Sequence, residues 1–304
     1  MNKFRIKILV YSLIFVQNLD GIAVYSLIGD RRKKLMNTFT NWKTLNWSEY
    51  GAELVGTAFN LLVGFSIITF NFGKGLPMEH LIPAVSPRLL INGLIFAGSG
   101  ALFSISPLGK LSGSHLNPGL SLAFWLQGKM HKKDLIGYIF GQFIGAIIGT
   151  SLALALWGNY LVSVNYCITS PGIGYPLWYV FLAEVFMTFL LVLSIFIFLS
   201  HHHLLRWTPV MVWLLVATMV WLGAPISGTS LNAARSFGPA LLAWSWQNQW
   251  LYCIASPLGA IVAVKVFQLI SMGESEVLTG KLFHVPNYRC IFKNVKVPYL
   301  AKHQ

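Results

Sequence analysis

The stretch Gly228–Ala240 lies between two long apolar runs and contains Arg235, the only charged residue between Arg206 and Lys265. An arginine at the depth of a bilayer costs about 2.5–3.5 kcal/mol on insertion scales, so it faces water or polar protein groups and marks a functional site. We expect Arg235 to line an aqueous path through the membrane.

A short helix is predicted around this arginine. Asn232 has the side chain of a helix N-cap, and the helix-favouring residues Ala233 and Ala234 follow it. Gly238-Pro239 then allows the helix to break after about two turns. The pattern therefore predicts a half-helix entered through a loop rather than a complete membrane span.

A near copy of this stretch lies upstream in Gly113–Leu122, where Asn117 is again a candidate N-cap and Pro118 occupies the first helical position. Two capped half-helices in corresponding parts of an apolar chain indicate a membrane site. Their N-termini carry partial positive charge and would repel cations where they meet. Asn117 and Asn232 can each donate an amide hydrogen to a passing water or hydroxyl oxygen.

The elements that must position these half-helices are membrane spans. Of the 304 residues, 55% are hydrophobic and 10% are charged, which is typical of multi-span membrane proteins. We predict six spans, in chain order Tyr50–Phe70, Leu89–Pro107, Asp134–Leu156, Leu177–Leu199, Thr208–Gly223 and Gln249–Ile270.

The net charge of +13 could indicate a nucleic-acid partner. The basic residues form no recognition motif, however, and crowd into short segments between spans and into the tails. Such segments are typical of the cytosolic side of a membrane protein. We therefore expect no nucleic-acid partner and predict that both termini are cytosolic.

The second half of the chain repeats the first. Ala183-Glu184, followed by Thr188, echoes Ala52-Glu53, followed by Thr57. Because each half contains an odd number of spans, the halves insert with opposite orientations and the repeat is inverted. The two half-helices then enter from opposite faces and meet at mid-membrane.

These motifs resemble those of the aquaporin, or major intrinsic protein, family. The two Asn-Pro-Ala boxes of that family appear here as Asn117-Pro118-Gly119 and Asn232-Ala233-Ala234, and the resemblance runs from about Glu49 to Ile270. It implies an all-α membrane fold of six transmembrane helices and two re-entrant half-helices. It also implies passive conduction of water and small uncharged solutes across the lipid bilayer of the plasma membrane, by a homotetramer without cofactor, metal or enzymatic activity.

This resemblance divides the chain into a basic N-terminal tail (residues 1–45), an aquaporin-like channel domain (46–272) and a basic C-terminal tail (273–304). The apolar run Ile6–Val16 in the first tail is too short to span a bilayer, and we interpret it as part of an interfacial tail. A cleaved signal peptide or an additional span is the alternative.

Two residues depart from the family boxes. Ala233 replaces the proline of the second box, which removes a preset φ angle but leaves a strong helix former. Gly119 replaces the alanine of the first box. Because these positions pack the boxes against each other in the family, we expect a looser or slightly wider centre.

The family sets its size limit at an outer constriction, and counting from the asparagines without gaps assigns it to Ala97, Val220, Thr229 and Arg235. One gap would replace Ala97 by Phe96. Water-selective relatives have an aromatic residue and a histidine where this chain has Ala97 and Val220. The resulting wider, more apolar opening would lower the cost of desolvating a carbon-bearing solute, as in channels for glycerol, urea and metalloid hydroxides.

Other positions favour a water-selective channel instead. Ser236 and Ala240 stand where glycerol channels carry an acidic and a basic residue, and Tyr252 is also of the water-channel type. We give more weight to the constriction because it contacts the solute directly. A water-selective aquaporin, a non-conducting membrane protein of the same fold and a secondary transporter remain the alternatives.

The buried carboxylates Glu53 and Glu184 could in principle serve acid–base catalysis. Their matching positions in the two halves favour structural support instead, because the family uses such glutamates to accept hydrogen bonds from the half-helix loops. His115 matches the family histidine before the first box. The run His201–His203 has no Cys or acidic partner nearby, and we interpret it as a solvated loop rather than a metal site.

Overall fold

The computed structural model describes residues 45–271 and 276–297, and within these ranges every element of regular secondary structure is a helix. The eight principal helices are α1 (Trp47–Phe72), α2 (Val85–Ile105), α3 (Pro118–Leu126), α4 (Lys132–Trp157), α5 (Leu177–Leu199), α6 (Thr208–Ser227), α7 (Ala233–Leu242) and α8 (Gln249–Ile270).

Six of these helices, all except the short α3 and α7, are long and apolar enough to cross a membrane. The predicted six spans are therefore confirmed, although several bounds differ, most of all the start of α2 and the end of α6. α2 begins at Val85, before Pro87, because the first turn of a helix does not need the N–H that proline lacks. α6 continues through Pro225 to Ser227 and ends at Gly228, whose positive φ of 77° stops the helix.

The two halves of the chain pack in the same way. α1 packs on α4 in the first half, and α5 packs on α8 in the second. Glycines allow these helix pairs to approach closely: a Cβ atom at Gly145 would lie 2.4 Å from the carbonyl oxygen of Leu54, and one at Gly259 would lie 2.4 Å from that of Val185. The equivalent contacts agree with the predicted inverted repeat.

The bundle has two ends, which we call proximal and distal. α1 begins and α2 ends at the proximal end, and α5 and α8 begin at the distal end. Exposed tryptophans lie near both ends, as in the aromatic belts of membrane proteins, and they include Trp47 and Trp207 (proximal) and Trp178, Trp244 and Trp250 (distal).

Residues 276–297, which we call the terminal segment, lie against the proximal end. The backbone N–H of Leu278 donates to the carbonyl of Leu199 at the end of α5, and that of Leu282 donates to the carbonyl of Gly113 before α3. Residues 276–297 fall within the predicted C-terminal tail (273–304), and they pack on the bundle.

Candidate functional site

The N-termini of α3 and α7 meet inside the bundle through their two capping asparagines. Asn117 Oδ1 accepts from the backbone N–H of Gly119, and Asn232 Oδ1 accepts from that of Ala234. These bonds satisfy backbone donors that every helix N-terminus leaves unpaired. Each half-helix therefore begins directly after its asparagine, as the sequence predicts.

The same side chains also join the two half-helices. Asn117 Nδ2 donates to the carbonyl of Leu231 over 2.8 Å, and Asn232 Nδ2 donates to the carbonyl of Leu116 over 2.7 Å. Each acceptor residue directly precedes the other asparagine. An amide nitrogen has two hydrogens, so each asparagine keeps one donor for the cavity that both side chains line.

Glu53 holds the loop that leads into α3. Its buried carboxylate accepts from the backbone N–H groups of His115 (3.0 Å) and Leu116 (2.7 Å) and from Gln142 Nε2 (2.8 Å). A buried carboxylate is tolerated only when such donors replace water.

Glu184 holds the matching loop before α7. It accepts from the backbone N–H groups of Ser230 (2.8 Å) and Leu231 (2.9 Å) and from Ser227 Oγ (2.6 Å). The two glutamates are each fully buried, and neither lines the cavity. Their contacts are those of structural supports for the loops.

The centre of the junction is filled at Gly119, contrary to the expectation of a looser packing there. A Cβ atom at Gly119 would lie 3.0 Å from Ser256 Oγ of α8. Ser256 Oγ donates to the carbonyl of Leu231, which fixes it in that place. Ser256 thus leaves only a tight fit for an alanine side chain at Gly119, and sequence comparison of the boxes alone could not identify this neighbour.

The second box also keeps its packing without the family proline. Ala233 is the first residue of α7 and is buried, and Ala234 is fully buried against α1 and α4 residues that include Leu61 and Ala146. The high helix propensity of alanine accounts for a half-helix that begins at the same point.

Arg235 is 7% exposed and is held by polar groups and aromatic rings. Its Nη1 donates to the carbonyl of Cys167 and to Thr169 Oγ1, both over 2.9 Å. The guanidinium also lies 5.0 Å from the ring centre of Phe65 and 5.9 Å from that of Phe96. These contacts fix the cation at the distal side of the half-helix junction.

One cavity runs past Arg235 and the two asparagines, and the four residues assigned to the constriction, Ala97, Val220, Thr229 and Arg235, all line it. Phe96 lines it as well, so both assignments for the second span reach the cavity. The Phe96 ring packs edge to face on Phe65, with ring centres 6.0 Å apart, whereas Ala97 presents only a methyl group.

Several lining residues were not predicted from the sequence, and two of them are Asn60 and Leu282. Asn60 of α1 lies beside the cavity and donates to the carbonyl of Phe96 and to Ser99 Oγ. It interrupts the apolar sequence of the first span, which is a signal that could have identified it. Leu282 of the terminal segment lines the proximal part of the cavity, and nothing in the local sequence indicates this.

Ser236, Ala240 and Tyr252, the residues of water-channel type, do not belong to the described lining of the cavity. Ser236 Oγ shares hydrogen bonds with Thr169 Oγ1 (2.8 Å) and Ser230 Oγ (2.6 Å), and Tyr252 donates to the carbonyl of Ser227. All three residues are fully buried, and they stabilise the packing of α7 and α8.

His115 lies where the cavity meets the terminal segment. Its Nε2 donates to the carbonyl of Gly280 over 2.8 Å, which leaves Nδ1 to accept from Ser121 Oγ in the neutral ring. The ring stacks on Phe124, with centres 4.6 Å apart. Among the described residues, no group of three His, Cys, Asp or Glu side chains could hold a metal ion.

Comparison with known proteins matches residues 39–267 to the family described as Major intrinsic protein. The chain is 30% identical over 228 residues to the probable aquaporin NIP7-1 of Arabidopsis thaliana, covering 73% of this chain and 76% of the relative. It is 33% identical over 216 residues to aquaporin AqpM of Methanothermobacter marburgensis, covering 68% and 85%. The fold resembles the X-ray structure of the aquaglyceroporin from Plasmodium falciparum with a TM-score of 0.60 at 22% identity, covering 74% of this chain and 99% of that one.

Proposed function

The chain belongs to the major intrinsic protein family of passive membrane channels for water and small uncharged solutes, and on this premise we propose that it conducts solutes of the glycerol, urea or metalloid hydroxide class as well as water. Ala97, Val220, Thr229 and Arg235 form the constriction that selects them. This proposal rests on the cavity lining, to which Ala97 and Val220 contribute only small apolar groups.

A wider, more apolar opening with one polar edge favours such solutes. Thr229 and Arg235 offer hydrogen bonds to hydroxyl or amide groups of the solute, while Ala97 and Val220 make apolar contacts with its carbon atoms. Removing an amide or hydroxyl from water without a replacement hydrogen bond costs about 1–3 kcal/mol in proteins, so the polar edge lowers the barrier to entry.

A water-selective channel is the second candidate. One observation favours it: Phe96 also lines the cavity, close to Arg235, and its ring narrows the opening on that side. The two candidates differ in whether the width beside Ala97 admits a carbon chain.

The remaining site residues support conduction in three ways. Asn117 and Asn232 each present a free amide hydrogen to the cavity, and together with the positive half-helix termini and Arg235 they disfavour cations. Glu53, Glu184 and His115 hold the loops before the half-helices. Pro118, Gly119, Ala233 and Ala234 pack the two boxes together.

We further propose a homotetramer with one pore per subunit in the plasma membrane, with the proximal end facing the cytosol. The basic residues at the proximal end support this orientation, since cytosolic segments are rich in Lys and Arg. The molecular mass of the detergent-solubilised protein, and labelling of the exposed Cys290 in intact cells, would test assembly and orientation.

Stopped-flow light scattering on proteoliposomes tests the proposed selectivity. Shrinkage in an impermeant osmolyte reports water flux, and subsequent re-swelling in glycerol or urea reports solute flux. The proposal predicts that both fluxes exceed those of empty vesicles and do not depend on an ion gradient. Water flux without solute flux would favour the water-selective candidate.

A further inference from the structure

We propose that the terminal segment, residues 276–297, is part of the conduction path and that Leu282 forms a second constriction at its proximal mouth. The inference rests on the proposed function of the cavity as a conduction path, but it concerns how fast the channel conducts rather than what it selects. Nothing in the family boxes requires it.

The terminal segment is fixed to several elements around the proximal mouth. The backbone N–H of Lys293 donates to the carbonyl of Lys129, between α3 and α4, and Arg289 contacts Glu49 near the start of α1 (Nε to Oε1, 3.2 Å). Together with the bonds of Leu278 and Leu282 to the bundle, these contacts tie the segment across the mouth.

A buried lysine strengthens this docking. Lys281 has no exposed surface, and its Nζ donates to the carbonyls of Lys110 and Arg289, both over 2.6 Å. Burial lowers the pKa of the Lys281 ammonium from its ordinary value. An ammonium group is buried only where carbonyl oxygens replace its water, so this contact requires the segment to be in place.

Two glycines allow the close approach. Gly113 has a φ of 88°, and a Cβ atom there would lie 3.0 Å from the carbonyl oxygen of Gly280. Gly280 in turn packs against the ring of Phe292, which lies 5.4 Å (ring centres) from His115. The fit between the loop and the segment is therefore a specific backbone contact rather than a loose association.

Leu282 lies where the terminal segment borders the cavity. It is 7% exposed and lines the same cavity as His115, Asn117 and Arg235. An apolar side chain in a narrow aqueous path raises the barrier to water because it offers no hydrogen bond and favours dewetting. Leu282 thus places an apolar barrier on the proximal side of the asparagines.

The test changes Leu282 in the full-length chain and measures water shrinkage of proteoliposomes by stopped flow. Leu282→Ala widens the mouth, and Leu282→Asn keeps the branching and the number of side-chain heavy atoms but adds hydrogen-bonding groups. We expect both to raise the water flux per channel by roughly two- to tenfold, and Leu282→Trp to lower it below that of the wild type. Val285→Ala, a half-buried position in the same segment outside the described cavity lining, is the control and should leave the flux unchanged.

The outcomes separate this inference from the channel function. Wild-type flux in all three Leu282 variants would overturn the inference and leave the channel intact. An equal change in Val285→Ala would also overturn it, since the effect would then come from loosening the segment and not from Leu282. No flux in the wild type or in any variant would contradict both the inference and the channel function.

Discussion

Gly119 and Ser256 fit against each other at the centre of the half-helix junction: a Cβ atom on the glycine would lie 3.0 Å from the serine Oγ and 3.3 Å from its carbonyl oxygen. The family has an alanine in the box where this chain has Gly119. The substitution is therefore matched by a neighbour from α8 that packs against Gly119, and the half-helix junction stays closely packed.

This relationship predicts that Gly119→Ala, although it restores the family residue, destabilises the protein. Inserting a methyl group into a packed interior costs about 1–3 kcal/mol. Ser256→Ala removes the Oγ atom beside the added methyl group, so the double variant should recover part of the stability that Gly119→Ala loses. The half-life of folded protein at a fixed elevated temperature measures the effect, and strictly additive losses in the double variant would contradict it.

Glu184→Gln should impair folding before it alters selectivity. The glutamine amide replaces one of the two carboxylate oxygens by an NH2 group, so the backbone N–H of either Ser230 or Leu231 loses its acceptor, and an unsatisfied buried donor costs about 1–3 kcal/mol. We expect less folded protein, with an unchanged ratio of solute flux to water flux in what remains. Glu79→Gln, at an exposed position, is the control. A changed flux ratio at full stability would show that Glu184 acts in the pore itself.

Acidification should weaken the docking of the terminal segment on the bundle, because it protonates the Glu276 carboxylate. Its carboxylate pairs with Lys296 and lies 3.6 Å from Lys129 Nζ, and the hydrogen bond from Lys296 holds the pKa of Glu276 below its ordinary value of 4.5. Because the folded-state pKa is depressed, the pair stabilises docking fully above pH 4.5, and this contribution is lost as the pH falls through the lower, folded value.

The pair is partly exposed, so its effect on flux should stay below about fivefold. We expect Glu276→Gln to raise water flux at neutral pH and to abolish the additional rise in acid, as measured by proteoliposome shrinkage between pH 7 and the acid range. An identical acid response in wild type and Glu276→Gln would exclude Glu276 as its source.

The sequence predicts most of the transmembrane architecture. Length and hydropathy identify the six spans, and capping chemistry at Asn117 and Asn232 identifies both half-helices, since these signals are local. The supporting role of Glu53 and Glu184 could be predicted because the internal repeat places both at equivalent points before a half-helix loop.

The remaining features depend on contacts between distant parts of the chain. Ser256 carries no signal that it faces Gly119, because this requires the rotation of α8 about its axis. The terminal segment is basic and lacks a helical pattern, and it docks largely through backbone carbonyls such as those of Gly280 and Gly113, which any sequence possesses. Leu282 therefore could not be recognised as a lining residue from sequence.

The most direct test of the proposed selectivity is the effect of Ala97→Phe on proteoliposomes, with Leu102→Phe, on the exposed face of the same helix, as the control. We expect wild type and Leu102→Phe to re-swell in glycerol or urea faster than empty vesicles. Ala97→Phe should keep its water flux and lose at least about tenfold in solute flux, because the ring fills the opening beside Val220. Solute flux that is absent in the wild type, or unchanged in Ala97→Phe, would contradict the assignment of the constriction to Ala97.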